Sequence, residues 1–329
     1  MIRLTKVELR RLTARRLTLI GVAGLFLITA LLLVATWFDA RPLSAAEQQQ
    51  AERQFQLAHK DWVDNAAENR AQCEEDWKTQ PDPKPTVDDM CSYPEPKPED
   101  FGKPPTVFAQ VMPGLLQGSS YILAFAAFLI GAGFVAAEFS SGAIGNWLTF
   151  EPRRLRVYGS KLLAAATGFV PIAAVVLAIV LLGTFLIVDH LGDTAGTTRK
   201  TWGDLSAIGG RAVLTTALAA ALGSVVGLLL RHTAAAIGLV MAYLVLAEGV
   251  FAAFLEKAQP WLVKVNFDAF VRHDAQYYVT QCKTGSDGSY VCDYVPKTLS
   301  FEHGAWYLAI LAVLAIVLGG WVLHRRDVN

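Results

Sequence analysis

Uncharged apolar stretches recur six times along the chain, at 17–38, 106–137, 162–188, 212–230, 233–255 and 304–323, and Glu248 is the one charge inside them. A helix rises 1.5 Å per residue, so about 20 residues cross a hydrocarbon core of about 30 Å. Each stretch is long enough, and the pattern predicts an all-α integral membrane protein with six transmembrane helices. The second stretch is too long for one straight crossing and carries Pro113-Gly114. It is expected to begin as a re-entrant piece at the outer surface and to cross from about Gly118.

The polar intervals carry patterns of their own. Residues 43–77 are rich in Ala, Gln and Glu, contain no Pro or Gly, and space Phe55, Trp62 and Trp77 for a helix. Residues 81–105 hold eight of the chain's fourteen prolines, which predicts extended or polyproline-like backbone. Residues 276–295 alternate in the manner of two short strands around an Asp287-Gly288 turn signal. The resulting layout is a basic interfacial segment with the first span (1–38), an acidic outer helix with a Pro-rich return (39–105), the second span with its outer start (106–137), an inner loop (138–161), spans three to five (162–255), an outer insertion with the hairpin (256–303), and the sixth span with a short tail (304–329).

Composition agrees, since 53% of residues are hydrophobic, above what a soluble domain normally carries. The formal net charge of zero hides an asymmetry. With both termini inside, the inner pieces hold 13 Lys/Arg against four acids, leaving the outer pieces acidic. Cations on the inner side are what orients spans, so both termini are expected in the cytoplasm. Arg10, Arg11, Arg15 and Arg16 before the first stretch resemble a secretory leader, yet 22 apolar residues without a small-residue cleavage site predict a retained span. All four cysteines, Cys73, Cys91, Cys282 and Cys292, fall in outer segments, where disulfides persist. Three connectivities exist; the local one is expected, Cys73 with Cys91 and Cys282 with Cys292, the latter stapling the hairpin. Metal ligation by these cysteines with His273 lacks paired close spacings, so no metal site is expected.

Catalytic signatures are missing. Gly159-Ser160-Lys161 lacks the upstream glycine of a phosphate loop and precedes a membrane helix instead of following a strand. There is no H-E-x-x-H, no G-x-S-x-G and no inward cluster of acids for a proton relay. Six scattered histidines sit mostly at span edges. A non-catalytic chain with no cofactor of its own follows, in contact with lipid and with no nucleic acid.

The loop at 138–161 is the one sizeable inner loop. Ile144, Trp147 and Leu148 fall on one helical face, and Pro152 disfavours helix at Glu151, so a short amphipathic helix should end there and a second restart with Pro152 as its first residue. Periodicity alone favours the other reading, an ordinary interfacial helix with a basic edge held by anionic lipid. The sequence Glu138, Ser141-Gly142, Leu148, Pro152, Arg154 and Lys161 resembles the signature of ABC-2-type transporter permeases. Ala143 stands where that family usually has Thr. The six-span layout, the basic N terminus and the insertion between spans five and six are similar to the family as well, whereas the acidic loop after span one is not part of its common core. The resemblance implies a bacterial cytoplasmic-membrane exporter subunit. Its loop would be a coupling helix docked on a dimer of separate ATP-binding-cassette subunits that hold ATP and Mg, and a second permease chain, in a homodimer, would share the pathway. Ile144, Trp147 and Leu148 would form the docking face, braced by Glu138, Arg154 and Lys161, with Gly142 and Pro152 shaping the turn.

For a substrate pathway the candidates are Gln117, Ser119, Ser120 and Tyr121 in span two, and Glu248. An acid within a span defaults to functional suspicion. The other reading of Glu248 is a carboxylate hydrogen-bonded to a backbone amide freed where span five breaks. The outer segment 39–105 reads either as a solvated extension or as a gate or docking surface. A non-transporting sensor or assembly subunit, and a proton-linked secondary transporter, are the competing function classes.

Overall fold

The computed structural model describes residues 1–80, 84–284 and 290–325. The Asp287-Gly288 turn and the Leu148 side chain lie outside the described residues. In chain order the elements are α1 (Ile2–Ala14), α2 (Arg16–Ala40), α3 (Ala45–Lys78), α4 (Val87–Met90), α5 (Pro98–Phe101), α6 (Phe108–Ser140), α7 (Ala143–Phe150), α8 (Arg154–Leu191), α9 (Arg199–Leu230), α10 (Thr233–Ala242), a π-helical stretch Tyr243–Phe251, α11 (Ala252–Phe254), a 3-10 turn Glu256–Trp261, α12 (Val263–Arg272), β1 (Asp274–Thr284), β2 (Tyr290–Ser300) and α13 (Phe301–Arg325). Among the described residues, six helices are long and apolar enough to cross a membrane: α2, α6, α8, α9, Thr233–Phe254 and α13. They are spans 1 to 6 of a multi-pass membrane protein. One end of the bundle carries α1 and α7, the other the hairpin.

Spans 2 and 4 meet most closely, and small residues are the reason. In lipid the apolar side chains gain little by facing one another, so helices associate where backbones can approach. A Cβ on Gly223 would lie 2.0 Å from the Phe128 carbonyl oxygen, one on Gly227 2.2 Å from that of Ala132, and one on Gly131 2.2 Å from that of Ala220. Ser224 Oγ donates to the Gly131 carbonyl at 3.3 Å across the same seam. Around it, Phe108, Met112, Leu116 and Leu205 fill the hairpin half of the core, and Leu12, Phe134, Phe169 and Leu228 the other half.

Three boundaries differ from those read in the sequence. Span 2 has no separate re-entrant start: α6 runs unbroken through Pro113. The missing amide costs one bond near the helix start, and Phe108, Met112 and Leu116, all buried, hold that turn in place. Pro152 does not open the next helix; Arg153 is the N-cap and α8 starts at Arg154. Span 4 belongs to a helix that begins well before Ala212, at Arg199, where Thr198 accepts from the Thr201 amide at 3.3 Å.

Beyond span 1, α3 forms the expected long helix. Ser44 caps it, its Oγ accepting from the Glu47 amide at 3.4 Å while Glu47 Oε2 accepts from the Ser44 amide at 2.7 Å. No residue of α3 is buried. The Pro-rich return lies back along it, with Trp62 Nε1 donating to the Tyr93 carbonyl at 3.0 Å and Trp77 Nε1 to the Pro85 carbonyl at 2.8 Å. It is not extended throughout: α4 forms where Thr86 Oγ1 accepts from the Asp89 amide at 3.2 Å, and α5 opens on Pro98. Cys73 and Cys91 are bridged. Cys73→Ser with Cys91→Ser is expected to remove about 3 kcal/mol from this arm by freeing its loop and to leave the bundle intact. Proteolysis should then cut within 84–100 while the melting temperature of the spans holds.

The hairpin lies between spans 5 and 6, with β1 antiparallel to β2, Cys282 opposite Cys292 and a disulfide joining them. Glu256 accepts from both the amide and the hydroxyl of Thr280, anchoring β1 to the 3-10 turn. Those two donors hold its carboxyl below the usual carboxylate range.

Candidate functional site

At the end of the bundle that carries α1, span 2 closes on Glu138 and span 3 opens with Lys161. Gly142 turns the chain between α6 and α7 with φ +67°, a left-handed conformation that costs other residues about 1–2 kcal/mol. The turn brings the two charges together inside the protein: the Lys161 side chain is 2% exposed and that of Glu138 0%. Lys161 Nζ donates to Glu138 Oε2 and, at 2.9 Å, to Glu8 Oε1 of α1. Arg11 Nη2 lies 3.1 Å from Glu138 Oε1, and Arg15 Nη2 3.6 Å from the same atom. Arg15 Nη1 also donates to the Phe134 carbonyl at 2.8 Å. Burial lowers the Arg15 guanidinium from its ordinary range, and Glu138 pulls it back. Buried charges persist only where each is paired, and here α1 supplies Glu8 and Arg11 to the pairing, and the joint after it Arg15.

The same arrangement ties down α7. The Arg11 guanidinium sits 5.1 Å from the centre of the Trp147 ring, and Arg15 and Lys161 lie 5.0 and 5.3 Å from that of Phe134. Ile144 is 3% exposed, so it packs inward against this chain. Trp147 is half-buried, and Phe150, at the tip of α7, is 87% exposed. Arg154 Nη1 donates to the Leu323 carbonyl at 3.3 Å, and Tyr158 OH to that of Ile316 at 2.7 Å. Both bonds lock the start of span 3 to span 6.

A second polar cluster forms at the hairpin end. Gln117 and Tyr121 of span 2 both donate to Asp268 Oδ1 of α12, Tyr121 stacks on Phe267 at 5.0 Å, and Arg272 Nη1 donates to Gln117 Oε1 at 3.2 Å. Lys264 Nζ reaches Asp268 Oδ2 at 3.4 Å. Glu248 Oε1 accepts from the Lys264 amide at 3.0 Å and from Tyr243 OH at 2.7 Å, and the Tyr243 oxygen accepts from the Val263 amide at 3.1 Å. Two of the free amides at the start of α12 are thereby satisfied by span 5 side chains, at its π-helical stretch. Ser120 Oγ instead donates within its own helix, to the Gln117 carbonyl, and Ser119 Oγ is buried without a partner.

The structure thus joins Gln117 and Tyr121, and Lys264 links their carboxylate partner to Glu248. Sequence reading missed Glu8, Arg11, Asp268, Lys264 and Tyr243. Glu8 is the one acid of a basic N-terminal segment, and Lys264 and Asp268 stand at i, i+4, signals visible in the chain yet silent about the partners that Glu8 and Asp268 find more than 100 residues away. Among the described residues, no group of three His, Cys, Asp or Glu side chains is placed to hold a metal ion.

No curated protein matches this chain. A family model described as "Protein of unknown function (DUF2705)" matches residues 100–329, a stretch that takes in Glu138, α7, Lys161 and the whole hairpin-end cluster, while α1, span 1 and the arm to α4 precede it. That match covers more than half of its length, and this multi-pass, largely α-helical membrane protein belongs to the DUF2705 family.

Proposed function

We propose that this chain is the membrane-spanning subunit of an ATP-driven exporter, with both termini in the cytoplasm and hydrolysis carried out by a separate ATP-binding-cassette dimer. The observation that supports this reading is the elbow: α7, a short stiff helix, held between spans 2 and 3 by the buried Glu138–Lys161 pair and presenting Phe150 outward. A force applied at Phe150 passes through α7 to the ends of two spans at once, because the pair resists separation in a low-dielectric site. Arg154 carries the same displacement to span 6. The docking surface then comprises Phe150 and the outer edge of Trp147, with Ile144 as the packing that stiffens the helix beneath. ATP and Mg belong to the partner, this chain performs no catalysis, and a second, identical chain completes the pathway. The transported compound is amphipathic or apolar, matching spans made of Leu, Ala and Val.

The test is co-purification. Trp147→Asp and Phe150→Asp are expected to lower recovery of the ATPase subunit and its membrane-stimulated activity at least tenfold, with the fold of the spans preserved. Unchanged recovery in both variants would remove the docking claim. Labelling a cysteine at position 147 from outside sealed cells would overturn the orientation.

A further inference from the structure

The N-terminal helix has a second face that the ion cluster leaves free. Its one acid, Glu8, is buried against Lys161, so the exposed side carries cations alone: Arg3, Lys6 and Arg10, at i, i+3 and i+7 on one face. Ile2, 86% exposed, and Val7, also exposed, lie among them, and Arg16 is exposed at the joint with span 1. The helix is packed at the start of span 3. Met1 Cε lies 2.9 Å from where a Cβ on Gly159 would sit, and Leu12 Cδ2 2.9 Å from that on Gly168. These two positions bracket residue 162, where the apolar run of the span begins.

Cations interleaved with exposed apolar side chains, at the boundary of a hydrocarbon core, match the headgroup region of a membrane containing acidic lipid. An acidic protein surface would satisfy the three cations and leave Ile2 and Val7 in water. Two buried contacts connect this face to the elbow. Glu8 partners Lys161, and Arg11 reaches both Glu138 and the Trp147 ring. Moving α1 away strips partners from both buried elbow charges and the cover from Trp147.

We propose that α1 senses anionic phospholipid: acidic headgroups engage Arg3, Lys6 and Arg10, and the seating of the helix is passed through Glu8 and Arg11 to α7. The claim concerns this chain alone and holds whether or not it serves an exporter.

The experiment is hydrogen exchange of the purified full-length chain in nanodiscs of phosphatidylcholine alone, against nanodiscs with roughly three parts in ten of phosphatidylglycerol. Each surface cation favours an acidic leaflet on the order of fivefold, so three give roughly a hundredfold. Exchange over residues 2–14 and 143–150 is expected to slow in the acidic discs. Arg3→Gln with Lys6→Gln and Arg10→Gln should abolish that slowing in both segments, and the control Arg199→Gln with Lys200→Gln, exposed cations at the other end of the bundle, should keep it. Equal exchange in the two kinds of disc, or slowing that survives the triple variant, overturns lipid sensing. Slowing confined to 2–14 overturns the link to α7. Protection seen only in crude membranes, and never in purified discs, overturns it in favour of a protein partner.

Discussion

Lys161→Met is expected to destabilise the purified protein by about 3 to 5 kcal/mol, the cost of leaving buried carboxylates without a cation. Glu8 and Glu138 are 1% and 0% exposed at the side chain, so neither can turn to water. Arg11 remains near both, which keeps the loss toward the lower figure. Two further variants separate pairing from mere packing. Adding Glu8→Gln to Lys161→Met should recover part of the loss, because a neutral amide no longer demands a counter-ion. Exchanging the charges, Glu138→Lys with Lys161→Glu, should recover nothing, since a lysine at 138 would face Arg11 and Arg15. Melting followed by fluorescence in detergent reports all three. A charge exchange as stable as the native protein would show that the cluster is a simple pair, contrary to the geometry.

The second large effect lies in the seam between spans 2 and 4. Gly223→Leu and Gly227→Leu are expected to abolish recovery of folded protein, because even the first carbon of a side chain would lie 2.0 to 2.2 Å from a backbone carbonyl oxygen of span 2. Backbone has no rotamer to yield, so the helices must separate along their length, and the loss exceeds the 1 to 3 kcal/mol typical of an overfilled core. Gly238→Ala is the control, with nothing within 4 Å of the added carbon; it should be neutral or slightly stabilising through helix propensity, by up to about 1 kcal/mol. Size-exclusion profiles and melting temperatures compare them directly. A Gly227→Leu variant that runs as a sharp folded peak would mean that these spans do not touch as described.

Much of the fold was legible because lipid imposes one severe rule. A backbone that crosses hydrocarbon must satisfy its own hydrogen bonds, so uninterrupted apolar length reports a span almost regardless of neighbours, and all six runs lie in helices that meet this condition. The long helix from Ala45, the short helix ending before Pro152 and the two local disulfides are likewise decided by nearby residues: a cap, a proline, a turn. Pro113 misled for the opposite reason, since its cost is local and the packing that absorbs it is not.

The candidate sites divide in the same way. Local spacing determined that Glu138 and Lys161 flank a stiff elbow, and that Glu248 is an acid set in an apolar run. Only the tertiary structure decided what those charges do. Glu8 and Arg11 of the N-terminal helix, and Arg15 just after it, reach Glu138 and Lys161 from more than 100 residues away, Asp268 of α12 gathers Gln117 and Tyr121 of span 2, and Glu248 accepts from Tyr243 and from the Lys264 amide at the start of α12. A chain can state the length and polarity of each segment by itself. Which buried charge meets which depends on how helices seat against one another, and that is set by close contacts such as those at Gly223 and Gly227, whose effect no single segment contains.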